Sequence, residues 1–177
     1  MKSKIIAISA ISSGLVALFL TIGAYFELVD VFTIVIASIF VTLPLYYQSY
    51  KGSWLCFLAG GLIAFMFSGF NLLSLVFPAY FAFFGIYPIV RCKMLEKNFN
   101  KFWGYVVGLV WFIIVAFGLY FYYTQFMGVA LTGLPSWFID YILIFVGLFA
   151  FVFFFIFDKF VLVTRKVADY YLNKIIK

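Results

Sequence analysis

Between Lys51 and Arg91 the chain runs for 39 residues without a charged side chain. As continuous helix that run would be roughly 58 Å long, about twice the thickness of bilayer hydrocarbon. It therefore needs two crossings and a turn between them. The segment SGFN, Ser68 to Asn71, supplies the turn, because Gly and Asn tolerate the backbone angles that a tight reversal requires. This predicts a hairpin of two spans over about 54–67 and 72–90, the second bent by Pro78 and Pro88.

The rest of the chain follows the same rule. Apolar residues make up 68% of it and charged residues 10%, which excludes a soluble domain and leaves an all-α integral membrane protein. Residues 5–25 form a 21-residue uncharged run, too long for the apolar region of a signal peptide and followed by no small-x-small cleavage pattern. Further spans are predicted over about 31–47, 102–124 and 137–163. Pro44 sits in the last turn of the second span, where a freed carbonyl can reach water. The uncharged stretch 125–136 is a loop, lying on the membrane surface or folded over the mouth of the bundle. Residues 164–177 continue in helical register, with Val167, Tyr171 and Ile175 on one side, and read as a basic amphipathic helix on an anionic inner leaflet. The whole of 1–177 is one membrane domain, a six-transmembrane-helix bundle.

Charge sets the orientation. Arg91, Lys93, Lys97 and Lys101 fall between two apolar blocks, so Arg91–Lys101 reads as a cytoplasmic loop. With six spans, all twelve Lys and Arg fall on the side assigned as inside, and both termini lie there. Five or seven spans would strand basic residues outside. The net charge of +6 then reflects topology and contact with anionic lipid, with no call for nucleic acid. A multi-pass protein of a bacterial cytoplasmic membrane is the expected location.

Several chemistries are disfavoured. The chain has no histidine, its six carboxylates are scattered, and no metal cluster or cofactor motif can be read. Cys56 falls in a span and Cys92 in the expected cytoplasmic loop, so both read as free thiols. The centres of the predicted spans carry no ionisable group beyond Tyr and Cys. Neither an enzyme nor an autonomous ion-coupled transporter is therefore expected.

Polar residues gather instead at the outer ends: Tyr25, Glu27, Asp30, Asn71, Gln125, Trp137, Asp140 and Tyr141. Aromatic faces beside carboxylates and amides suit a pocket for a small, flat, polar solute, with Glu27, Asp30, Asn71, Gln125, Trp137, Asp140 and Tyr141 as candidate binding residues. An ordinary interfacial belt of Tyr and Trp with solvated loop acids gives the same pattern. In the first span Ala7, Ala10, Gly14, Ala17, Thr21 and Ala24 recur at steps of three and four, so six small side chains share one helical stripe. Either another helix of this chain packs there, or a different protein docks.

The spacing A-x-x-A-x-x-x-G-x-x-A from Ala7 to Ala17, with a basic N-terminus and six spans in a short chain, resembles the S components of energy-coupling factor transporters. That resemblance implies capture of a vitamin or similar micronutrient from outside. It also implies docking of Ala7, Ala10, Gly14 and Ala17 on a transmembrane coupling subunit driven by two ATPases. The run FFGIYPIVRCKMLEK is similar to uncharacterised six-span proteins of Gram-positive bacteria. By size and span count the chain also resembles the rod-shape-determining MreD family. That likeness implies a non-catalytic scaffold of the cell-elongation machinery, with the stripe and the basic loop as protein contacts and nothing bound at the rim.

Overall fold

The computed structural model describes residues 2–47, 49–71, 73–97, 99–126 and 141–176, with side chains described for all of these except Lys2, Glu27, Phe126 and 167–176. Among the described residues the chain is helical apart from short turns and contains no strand. Helix α1 (Lys2–Tyr25) leads through a 3-10 turn (Glu27–Val29) into α2 (Asp30–Thr42), which tightens to a 3-10 turn over Leu43–Tyr47 where Pro44 interrupts the helical ladder. There follow α3 (Tyr50–Phe67), the short α4 (Val76–Ala79), a π-turn (Tyr80–Phe84), α5 (Tyr87–Glu96), α6 (Lys101–Phe121) with a terminal π-turn (Tyr122–Phe126), and α7 (Ile142–Ile176).

Five of these helices are long and apolar enough to cross a membrane: Ser3–Tyr25, Asp30–Tyr47, Tyr50–Phe67, Lys101–Gln125 and Ile142–Lys166. Large apolar side chains such as Ile6, Leu62, Ile114, Ile144 and Ile156 point outward, as a hydrocarbon solvent allows. The interrupted run 76–96 lies alongside them and joins the two ends of the bundle. At one end the Tyr25 hydroxyl donates to the Phe67 carbonyl (3.0 Å) and the Tyr123 hydroxyl to the Leu73 carbonyl (2.9 Å). At the other, the Tyr46 hydroxyl donates to the Thr164 carbonyl (3.4 Å), Tyr50 donates to the Glu96 carboxylate, and the Arg165 guanidinium donates to the Cys92 carbonyl (2.9 Å). We refer to these as the Tyr25 end and the Glu96 end.

Local chemistry explains most boundaries. The Ser49 side chain accepts from the Gly52 amide and caps α3, and the Asn100 side chain accepts from the Phe102 amide and caps α6. At the end of α3 the Gly69 amide donates to the Met66 carbonyl and the Phe70 amide to the Phe65 carbonyl, with Gly69 at φ 68°. This is a Schellman closure, and the Phe65 and Phe70 rings meet edge to face at 5.2 Å as its apolar clasp. The expected turn at SGFN is where the chain reverses.

Other expectations are corrected. Arg91–Lys101 is not a loop as a whole: Arg91 to Glu96 complete α5, and the link to α6 begins only at Lys97. The span expected over 72–90 is a broken helix running on to Glu96. The third helix begins at Tyr50 rather than at 54, which takes Lys51 into its first turn. Backbone helix continues unbroken from Ile142 to Ile176, so the tail is an extension of the last span. Of the loop expected over 125–136, Gln125 and Phe126 belong instead to the π-turn that ends α6; 127–136, the start of the predicted span at Trp137, and the side chains of Val167, Tyr171 and Ile175 lie outside what is described.

The small stripe does not pack within the chain in the way small residues allow. Helix α1 buries Ser12, Val16, Ala17 and Leu20 against α2 and α3, while Ala7, Ala10 and Gly14 are exposed. Only Ala17 of the four turns inward.

Candidate functional site

Phenylalanines converge where α4–α5, α6 and α7 meet. Phe83 stacks on Tyr87 at 4.8 Å and meets Phe112 edge-on at 4.7 Å, while Phe84 meets Phe157 at 5.0 Å. A space lies between the helices on the Tyr25 side of this layer. It is an open cleft of about 790 Å³, within the size range of small-molecule sites. Val31 and Ile34 of α2, Leu75 and Ala79 at the start of the broken helix, and Phe84 form part of its lining. Helix α6 adds Phe112, Ala116, Leu119 and Tyr120, with Tyr123 from its terminal turn, and α7 adds Phe145, Phe149 and Phe153.

Among the described residues no side chain lining the cleft carries charge, and the only side-chain hydroxyls there are those of Tyr120 and Tyr123. Tyr123 already donates to the Leu73 carbonyl. A polar group buried here without partners loses its hydration, so the walls accept an apolar body and reject a charged one. Rings on α6 and α7 add stacking surface for an unsaturated or planar apolar group.

The expected polar rim is only partly assembled. Asp30, Asn71, Gln125 and Tyr141 all lie at the Tyr25 end, yet none lines the cleft. Asn71 is engaged locally, its side-chain oxygen accepting from the Leu73 amide at 3.0 Å. Gln125 and Tyr141 are exposed. Glu27 falls in the 3-10 turn after α1 with its side chain outside the described set, and Trp137 and Asp140 lie outside the described residues altogether. The cleft is walled by α2, α4, α6 and α7, and none of its described lining residues comes from α1. The sequence signal for the real lining was present but unspecific, since an i, i+4 ladder such as Phe145, Phe149, Phe153 reads equally as core.

Two other features were missed. Asp158, inside the span predicted over 137–163, is buried among α5, α6 and α7. Arg91 donates to it twice, Nε to Oδ1 at 2.9 Å and Nη2 to Oδ2 at 3.2 Å, and Tyr87 donates to the same carboxylate. The side chains of the pair are only 3% and 5% exposed. Beside it Cys92 is buried in α5, so its thiol is not a loop thiol. A charge prices itself out of hydrocarbon only when alone; the partner of Arg91 stands 67 residues away, beyond the reach of any local pattern.

The second is a groove on the outer face of α1 and α3. It is lined by Gly14, Ala17, Leu18, Thr21, Tyr25 and Phe67, among others, and so runs directly into the exposed small stripe. No protein-family model, curated protein or solved structure matches this chain.

Proposed function

We propose that this protein is the membrane-embedded substrate-capture subunit of an ATP-driven importer of the energy-coupling factor type, in a bacterial cytoplasmic membrane. The run 76–96 serves as a sixth crossing, the Tyr25 end faces outward, and the Glu96 end and both termini face the cytoplasm. Every described Lys and Arg that is not at the start of α1 sits toward the Glu96 end, in α3, α5, the link after it, α6 or α7, which supports that orientation. The observation that carries the functional reading is the apolar cleft near the Tyr25 end, with the phenylalanine layer beneath it.

The solute is a vitamin or similar micronutrient whose buried part is apolar. The walls favour this over the small polar solute expected from the rim, whose residues would serve only a polar end at the mouth. The exposed face of Ala7, Ala10 and Gly14, with its adjoining groove, docks on a transmembrane coupling subunit carrying two ATPases. Close approach of backbones over small residues is how helices gain dispersion contact where lipid offers no hydrophobic drive.

The test is recovery of the tagged protein from its native membrane in mild detergent, with co-purifying proteins identified by mass spectrometry. A coupling subunit with paired ATPases is the expected result. Recovery of cell-wall synthesis proteins in their place would make the chain a scaffold of the MreD kind and overturn the importer reading.

A further inference from the structure

The Arg91–Asp158–Tyr87 cluster is built with more care than helix packing needs. Tyr87 and Arg91 are four residues apart on α5, so both reach from one face of that helix toward α7. Opposite them α6 carries Gly104 and Gly108, again four apart. A Cβ at Gly104 would lie 2.3 Å from Arg91 Nη1, and one at Gly108 would lie 2.5 Å from the Tyr87 ring. Helix α6 thus withholds two side chains so that the cluster can form. Asp158 lies eight residues inside Lys166, the end of the apolar stretch of α7, about 12 Å by helical rise. Two buried charges hold helices together no better than well-packed apolar residues would, so stability alone does not account for the cluster.

A break in the backbone lies directly above it. In the π-turn Tyr80–Phe84 the Gly85 amide donates to the Tyr80 carbonyl five residues back, and Pro88 has no N–H to offer the Phe84 carbonyl. Interrupted ladders of this kind are where helices bend. Above the break Ala79 and Phe84 line the cleft; below it α5 carries Tyr87, Arg91 and Cys92. Phe84 also packs on Phe157, the residue before Asp158.

We propose that Arg91, Asp158 and Tyr87 form a releasable latch that shuts the Glu96 end of the bundle, and that α5 swings about the Phe84–Pro88 break when the latch opens. The latch is a property of the bundle and does not depend on which solute or partner the chain has. What fills the cleft presses on Phe84 and is felt at Asp158 through a single ring contact.

The chain carries its own probes. Cys92 adjoins Arg91 on α5, while the Cys56 thiol lies on α3 against the Phe40 carbonyl of α2, outside the described contacts of the Arg91–Asp158–Tyr87 cluster, and both are buried. In membranes, the rate of labelling by N-ethylmaleimide is measured for Cys92 in a Cys56→Ser background and for Cys56 in a Cys92→Ser background. Tyr87→Phe removes one hydrogen bond to the carboxylate and should speed labelling of Cys92 about ten-fold, in keeping with the loss of a bond to a charged group, with Cys56 unchanged. Asp158→Asn should speed it further. Equal acceleration at both thiols would show general loosening and overturn the latch, as would an unchanged rate at Cys92 in Tyr87→Phe. Should Asp158→Asn fail to fold, Tyr87→Phe, which keeps the ring, decides the matter.

Discussion

At the scale of single residues, the Arg91–Asp158 pair has an asymmetric energetic signature. Removing one partner leaves a buried charge uncompensated, at a cost of about 3–5 kcal/mol, whereas replacing both with apolar residues of similar volume is often neutral. Asp158→Leu alone should therefore lower stability in detergent sharply, and Arg91→Met with Asp158→Leu should recover most of the loss. Thermal unfolding of the three proteins measures this; a double variant as unstable as the single one would contradict it. Gly104→Val belongs to the same argument. Its side chain would take the space of the Arg91 guanidinium, and overpacking of that kind costs roughly 1–3 kcal/mol. The pair also shows the limit of reading residues one at a time. Hydropathy prices Arg91 as a lone charge and sends it to a loop, although its charge is met by a carboxylate in another helix. Asp158 is no easier to read alone, since Lys159 beside it in sequence is not the cation that it pairs with.

At the scale of elements, what was legible is what depends on neighbours in sequence. The turn at SGFN is local chemistry: Gly69 sits at φ 68°, a conformation costly for other residues, and closes α3 with Phe70 clasped to Phe65. Gly69→Ala should cost about 1–2 kcal/mol through the left-handed backbone alone, since its Cβ would meet no other atom within 4 Å. A melting temperature equal to that of the unaltered chain would show that the turn relaxes at no cost. The division of the fourth segment was not legible in detail. Pro78 and Pro88 announced bends, but the π-turn between them arises because the rings of Phe83 and Phe84 must face the α6–α7 layer while Tyr87 and Arg91 face Asp158. Those demands come from two distant helices. The cleft lining escaped for a related reason: on an aromatic-rich helix, lining and core rings follow the same spacing, and only the space between the helices tells them apart.

At the scale of the whole molecule, the bundle keeps its buried ion pair and its apolar cleft apart. The latch lies toward the Glu96 end and the cleft toward the Tyr25 end, with a layer of phenylalanines between. The α1 stripe stands on another face, distant from both. Intrachain packing of α1 runs through Ser12, Val16 and Leu20, and a side chain added at Gly14 would meet no atom within 4 Å. Gly14→Leu should then leave the fold intact, or slightly favour it through better helix propensity, of the order of 0.5–1 kcal/mol. The same side chain would fill the mouth of the α1–α3 groove and hold any partner helix off by the width of an isobutyl group. The expected outcome is a protein that melts no lower than the parent, keeps whatever small molecule native mass spectrometry finds with the parent, and no longer co-purifies with a coupling subunit. Ala116→Trp should do the reverse. It fills the cleft, displaces the small molecule, and leaves the partner contact untouched. If Gly14→Leu retains the partner, the docking face lies elsewhere; if both variants lose both activities, cleft and stripe are not separate devices and the division of labour described here fails.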